Sequence, residues 1–462
     1  MESAIKQIGY FFPRRKVVIN LAPADVRKEG SGYDLPIALG LLQASEQTKM
    51  SSLSDYLIMG ELSLTGEIRP IKGALSMAIE AKKQGIKSLI LPRENAIEAA
   101  LIEGLNIYAM DSLRDTIRFL HGRTQAAVKA PPAQPEVVHY EDDFSQIKGQ
   151  EKAKRAIEIA VAGAHNLLLI GPPGAGKTMM AQRIPSIMPP MSLSEIIETT
   201  QIHSIVGRLS SENPLITERP FRALHHSISA TALIGGRTNP QPGEISLAHQ
   251  GVLFLDELPE FQRNVLELLR QPLEERKVPI SRAHGTVEFP ANFLLISAMN
   301  PCPCGYFHHP DKPCTCKPYQ VDRYLHRISG PLLDRIDMHL EVFPLKYPDM
   351  FNAQASESSS SIRERVIMAR ETQKERFHKH NAIRTNAEMN SEQVKVVCKL
   401  DFVSSSLLQN AIERLQLSAR AHDRILKMAR TIADLAQSSE IQSKHLAEAI
   451  TYRNLDRENW SG

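Results

Sequence analysis

Short apolar runs alternate with helical patterns along most of the chain. Leu167-Leu168-Leu169-Ile170, Gly251-Val252-Leu253-Phe254-Leu255 and Asn292-Phe293-Leu294-Leu295-Ile296 are continuously apolar rather than alternating. That is the pattern of parallel strands covered on both faces. With helical stretches between them, they predict an α/β core over residues 141–345. Upstream, Val17-Val18-Ile19-Asn20-Leu21 and Ser88-Leu89-Ile90-Leu91 read as strands, and Ala74 to Gly85 as a helix stopped by glycine, so residues 1–123 form a mixed α and β domain. Residues 124–140 contain Ala130-Pro131-Pro132-Ala133-Gln134-Pro135, whose prolines deny both helix and ladder bonds and predict an extended linker. Ser356 to Ser361 marks a further boundary, and from Ile362 onward the pattern is helical without proline, so residues 346–462 are expected to be a helical domain. Glu275 to Phe289 reads as two strands around an Ala283-His284-Gly285 turn.

Composition adds mainly exclusions. The 462 residues are 42% hydrophobic and 23% charged, which rules out wholesale disorder. With 55 basic and 52 acidic side chains the net charge is only +3, so any polyanion binding must come from local clusters. No apolar run is long enough to span a membrane, and the first residues lack the apolar stretch of a secretory signal, so a cytoplasmic protein is expected. Four of the five cysteines fall in Cys302-Pro303-Cys304 and Cys314-Thr315-Cys316. In a reducing compartment such a set suits tetrahedral zinc before disulfides, with His308 or His309 able to replace one ligand. With no evident open position, the metal would staple the loop rather than catalyse.

The strongest chemical signal is Gly171-Pro172-Pro173-Gly174-Ala175-Gly176-Lys177-Thr178, a phosphate-loop pattern with a strand before it and a helix after it. The glycines let successive backbone N–H groups face a phosphate, and the helix adds its positive end. Lys177 can reach the β- and γ-phosphates, and the Thr178 hydroxyl can hold Mg²⁺. The strand Leu253-Phe254-Leu255 ends in Asp256 and Glu257, a second ligand for Mg²⁺ and a residue to polarise the attacking water. Asn300, at the end of the next strand, could orient that water. Together these predict ATP hydrolysis by in-line attack.

These residues, with Arg222-Ala223-Leu224-His225-His226-Ser227, Gly243-Glu244-Ile245-Ser246-Leu247-Ala248-His249, Asp256-Glu257-Leu258-Pro259-Glu260-Phe261 and Ser329-Gly330-Pro331-Leu332-Leu333-Asp334-Arg335-Ile336-Asp337, resemble the ComM/YifB family of magnesium-chelatase-like AAA+ ATPases. The wider clade holds magnesium-chelatase motor subunits and MCM helicases. The resemblance implies an AAA+ parallel sheet with a helical lid, Asn300 as sensor 1, Arg335 as the arginine finger with Arg327 as runner-up, and Arg420 as the sensor-2 arginine with Arg424 as runner-up. An arginine finger acting in trans implies a homohexamer. The hairpin would be the pre-sensor-1 hairpin of the central channel, with Lys277, Arg282 and His284 as stacked cationic rings for a DNA backbone. Residues 219–244 would be the helix-2 insert, with Arg222, His225, His226 and Arg237 along its polar edge.

Residues 17–122 resemble the Lon-protease-like fold through Leu21 to Pro36 and Gly66 to Gly73. Lon uses a Ser–Lys dyad; here the nucleophile position falls at Gly32 and the lysine position at or near Leu75, with Ser31 and Lys72 out of register, so no peptidase activity is expected. Relatives carry further residues before this start, so the domain is expected to be incomplete at its N-terminus. The functional expectation is a DNA-translocating ATPase driving branch migration of single-stranded or branched DNA in natural transformation. The alternatives are a chelatase-type motor acting on a protein or metal-insertion partner, an ATP-dependent protease, and a nucleotide-gated scaffold.

Overall fold

The computed structural model describes residues 1–21, 30–50, 53–129, 140–210, 212–236, 239–282, 285–344, 356–379, 383–415 and 417–453. They fall into two compact units, one of Met1–Glu136 with Ser192–Thr217, the other of Val137–Met191 with Glu218–Gly462. The linear division expected from sequence is therefore broken at one place, because Ser192–Thr217 leaves the ATPase segment and joins the first unit. The cause is a helix, Leu193–Val206, opened by a Ser192–Glu195 capping box. It lays Ile197 on the apolar core around Leu75, Ala78 and Leu89. The Gly73 N–H donates to Ser204 O at 3.1 Å, and Gln201 Nε2 donates to Ser76 Oγ at 3.2 Å.

In the first unit, β1 (Tyr56–Ile58), β4 (Ser88–Pro92) and β5 (Asn106–Met110) form a parallel sheet in the order β1-β4-β5, and β2 (Glu61–Leu62) pairs antiparallel with β3 (Ile68–Arg69). The strand period sorts side chains onto two cores: Leu89, Leu91, Ile107 and Ala109 enter one, Ile90 and Met110 the other. The expected helix runs Ala74–Lys83. Val17 to Leu21 form no strand. Val18 is 79% exposed there, since β-branched residues need a partner ladder and no described strand supplies one. The start of the expected linker is ordered along β5, where Val128 N donates to Ile107 O at 2.8 Å and Gln125 Nε2 to Ala109 O at 2.6 Å. Its proline run lies outside the described residues.

The second unit is built on a parallel sheet of β6 (Leu167–Ile170), β7 (Phe221–Leu224), β10 (Val252–Leu255), β13 (Leu294–Met299) and β14 (Met338–Glu341), in the order β14-β6-β13-β10-β7. The three apolar runs of the sequence are its central strands, and β6, β10 and β13 are buried at every residue. Two antiparallel pairs stand off it: β8 (Gly235–Gly236) with β9 (Gln241–Pro242), and β11 (Lys277–Arg282) with β12 (Gly285–Pro290). Helices from Ser359–Arg376 to Ser443–Thr451 form the lid. No helix among the described residues is long and apolar enough to cross a membrane.

Sheet and lid meet at a buried polar seam. Asn166 N donates to Asp337 Oδ2 at 2.9 Å, and Arg424 on the lid helix Ala419–Leu435 donates to Asp337 Oδ1 at 2.6 Å. Arg453 Nη1 caps the Ile336 carbonyl at 2.7 Å. His165 is fully buried with Nε2 2.8 Å from Thr431 Oγ1. Burial lowers its pKa to about 4, against the pull of Asp337 and helped by Lys427, Arg370 and Arg424. The folded imidazole thus binds a proton less readily than the unfolded one at about 6.5. Its neutral burial costs nothing above that pH, and stability is lost as pH falls from about 6.5 towards 4, by up to ~3 kcal/mol at the lower end. His165→Gln, which cannot titrate, should flatten the fall in melting temperature between pH 7 and pH 5; an unchanged slope would place the acid sensitivity elsewhere.

Candidate nucleotide and metal sites

The carboxyl ends of β6, β10 and β13 bring the expected nucleotide residues to one edge of the sheet. β6 ends at Ile170, and the loop Gly171–Gly176 turns into the helix Lys177–Ile187. Gly176 takes φ +84 at the helix start, a left-handed conformation that L side chains rarely adopt. Lys177 is 8% exposed. Its Nζ donates to Gly171 O at 2.6 Å, Pro172 O at 3.0 Å and Asn300 Oδ1 at 3.3 Å. Burial lowers the Lys177 pKa, opposed by the charges of Asp256 and Glu257.

β10 delivers the acids. Thr178 Oγ1 donates to Asp256 Oδ2 at 2.7 Å, so the two oxygens able to hold a divalent cation already lie together. Glu257 N donates to Asp256 Oδ1 at 3.0 Å. Glu257 itself sits at φ 54, a costly conformation for a residue with a Cβ, which turns its carboxylate outward. His226 Nδ1 stands 3.4 Å from Glu257 Oε2, and its ring lies 4.0 Å from that of His225. Sequence reasoning put His226 on a channel insert and missed this neighbour. The cue was available, since β7 lies beside β10 and ends one residue before His225.

The arginines divide differently from expectation. Arg335 points inward: its side chain is 9% exposed, ion-paired with Glu274, and it donates to Pro331 O at 2.6 Å. The helix Arg270–Glu275 supplies that acceptor, so the expected finger is not presented at the surface. Arg327, the runner-up, is 51% exposed and pairs with Glu260 at 2.8 Å. On the lid, Arg424 is committed to Asp337, while Arg420 is 63% exposed and 3.7 Å from Asp334.

The hairpin is formed as expected, but its register separates two of its cations. Lys277 pairs with Pro290 at the base and Arg282 with Gly285 at the tip, five residues apart, roughly 17 Å along the strand. That spacing puts them in different tiers of the expected stacked rings, and Lys277 is bonded to Glu288 at 3.1 Å. The tip rests on the insert: a Cβ on Gly236 would lie 2.9 Å from Arg282 Nη2. Arg222 is bound to Glu244 at 2.6 Å. His284 and Arg237 lie outside the described residues.

The ligand atoms of Cys302, Cys304, Cys314 and Cys316 all lie within 4.8 Å of one another. The Sγ separations are 3.3 Å for Cys302–Cys304, 3.7 Å for Cys302–Cys314 and 3.5 Å for Cys304–Cys314. None is in a disulfide. Neither histidine joins the cluster, and His309 Nδ1 accepts from the backbone of Asp311 and Lys312, each at 3.0 Å. Burial opposes ionisation of Cys304, but hydrogen bonds from the Tyr306 and Thr315 backbone and the neighbouring thiols bring its pKa down to about 5. Burial together with those neighbours pushes Cys314 up to about 12. Four thiols this close cannot all ionise without a cation among them, the property of a thiolate metal site. In the first unit, Ser31 Oγ bonds the Glu61 carboxylate, Lys72 packs its stem on Gly207 and Leu75 is fully buried, so serine and lysine are not brought together.

Comparison with known proteins places this geometry. The family model "Magnesium chelatase, subunit ChlI" matches residues 143–350, "Subunit ChlI of Mg-chelatase" matches residues 1–95, and the ChlI C-terminal model matches residues 356–453. The chain is 46% identical over 459 residues to the uncharacterized protein YifB of Escherichia coli, covering 99% of this chain and 88% of YifB. It is 44% identical over 463 residues to the competence protein ComM of Haemophilus influenzae, covering 99% and 89%. A weaker similarity, 28% over 183 residues, links 35% of the chain to Lon protease 2 of Bacillus subtilis. With its phosphate loop at the head of a five-stranded parallel sheet, the chain belongs to the ComM/YifB family of magnesium-chelatase-like AAA+ proteins.

Proposed function

We propose that this protein is a cytoplasmic ATPase motor that works on DNA as a homohexamer and drives branch migration of incoming DNA. The observation that carries the ATPase part is the convergence of Lys177, Thr178, Asp256, Glu257 and Asn300 at one sheet edge, bonded to one another through loop and side chain. Membership of an AAA+ family points to ATP and Mg²⁺. The phosphate loop, Gly171 to Gly176, wraps the phosphates with its backbone N–H groups, and Lys177 turns its ammonium from the loop carbonyls to the γ-phosphate. Thr178 and Asp256 hold Mg²⁺, which shields phosphate charge. Glu257 polarises the attacking water, and Asn300 orients it. Arg420 closes on the nucleotide from the lid. Arg335 exchanges Glu274 for a neighbour's γ-phosphate across the ring.

The DNA part is supported by the hairpin, whose exposed Arg282 caps a tip braced by the insert, and by the relative named as a competence protein. Repeated in a ring, Arg282 and His284 supply backbone contacts without reading bases, while Lys277 lies too far down the hairpin to share that ring. The cysteine cluster is proposed to hold a structural zinc. A second reading, a motor acting on a protein or metal-insertion partner, is supported by the magnesium-chelatase models and differs in needing no DNA.

Three measurements test these assignments. ATP turnover should rise on adding single-stranded or forked DNA, and Glu257→Gln should lower it by about 100-fold or more while nucleotide still binds. Turnover indifferent to DNA, with no DNA bound, would leave the ATPase and remove the DNA motor. Arg282→Ala should weaken DNA binding and shrink the ratio of DNA-stimulated to basal turnover, most visibly at high salt. Elemental analysis of never-chelated protein should find about one zinc per chain; none would remove the metal assignment.

A further inference from the structure

The cysteine loop leans directly on the nucleotide site. The chain leaves β13 at Met299, gives Asn300 to the site, and within two residues reaches the fully buried Cys302. Gly305 then sits against the phosphate loop: at φ +84, a Cβ there would lie 2.7 Å from Pro173 Cδ and 3.2 Å from Cγ. Only glycine permits this approach. Phe307 and His308 line one small apolar cavity with Gly171, Pro172 and Val342. After the second cysteine pair, the helix Pro318–Leu325 carries Tyr324, a buried phenol close to the Asn300 backbone. Both the phosphate loop and Asn300 are therefore in contact with the segment from Cys302 to Tyr324.

That segment is held by local turns and ring contacts rather than by regular secondary structure. Residues 301–317 contain no helix or strand, and Pro303, Pro310 and Pro313 remove backbone donors. The two cysteine pairs are the feature that ties its ends, and thiolates need a cation to stay together.

We propose that the cysteine knuckle is a metal-dependent latch on the phosphate loop: with zinc bound it presses Gly305 against Pro173 and steadies Asn300, and without zinc the nucleotide site slackens. This rests on the zinc assignment above and adds what the zinc is for. It makes zinc occupancy a control on nucleotide affinity, whereas a knuckle serving only as a surface module would leave the site untouched.

The test uses the full chain. Zinc is measured first, in protein as purified. The protein is then stripped with an organomercurial and a chelator, and part of it is reloaded with zinc. Binding of a fluorescent ADP analogue, methylanthraniloyl-ADP, is read in all three states. The latch predicts a Kd about tenfold or more higher after stripping, restored by zinc. Gly305→Ala should keep its zinc and still weaken the analogue, because its Cβ must displace Pro173. An unchanged Kd in stripped protein overturns the proposal, as does Gly305→Ala that binds zinc and analogue like the parent. Absence of zinc at the first step overturns it through the metal assignment. Zinc-loaded protein that never binds the analogue overturns it through the nucleotide assignment. The order of measurement keeps these failures distinct.

Discussion

The nucleotide site depends on one constraint, the complete burial of β6, β10 and β13. Apart from the buried Ser297 in β13 their side chains are apolar, so the charged and amide residues after each strand fall at the carboxyl edge of the sheet. Because β13 lies between β6 and β10, the phosphate loop, Asn300 and the Asp256–Glu257 pair emerge as neighbours. Lys177 then reaches Asn300 and Thr178 reaches Asp256 without long side chains having to search for partners. At the opposite, amino edge of the sheet, Asn166 holds the strands in place just before β6. It accepts from Leu295 N at 3.0 Å and donates to Arg335 O at 3.1 Å, tying β13 to the turn before β14.

The seam with the lid is the second consequence. It buries a carboxylate, Asp337, whose pKa burial alone would raise, yet Arg424, His165 and the Asn166 amide hold it below the ordinary carboxylate range. An ion pair so buried adds little net stability, but removing one partner would leave a costly charge. Its effect is orientation: the lid helix Ala419–Leu435 is fixed by Arg424, one turn beyond Arg420. Arg424 is thus committed to the fold, whereas Arg420 is exposed and has only the longer 3.7 Å ion pair with Asp334. The family resemblance puts Arg420 before Arg424, and burial distinguishes the two, with Arg424 at 18% and Arg420 at 63% side-chain exposure.

What could be read in advance follows the range of the interactions. The phosphate loop, the acidic strand end and the paired cysteines are local patterns, and the structure assembles them as their spacing suggests. The three apolar runs were legible as parallel strands because two-sided burial erases alternation. Other features turn on distant partners. Val17 to Leu21 has strand propensity but no described ladder to join. The helix Leu193–Val206 looks like any helix of an α/β core until Gly73 and Ile197 show which unit holds it. His226 meets Glu257 only through the pairing of β7 with β10, and Lys277 is parted from Arg282 only by hairpin register.

Arg335 shows the same limit with a mechanistic consequence. The family resemblance implies that it reaches another copy's phosphate, yet in the single chain its Nη1 and Nη2 are bonded to Pro331 and Glu274, while the buried Nε has no partner. A guanidinium binds carboxylate and phosphate through the same fork of donors, so in the proposed ring Glu274 would stand in for the phosphate until a neighbour arrives. Exchanging one charged partner for the other would cost less than uncovering an unpaired charge. The inward seat of Arg335 is thus compatible with the proposed ring. It places the energetic burden of assembly on the packing between copies rather than on the arginine itself.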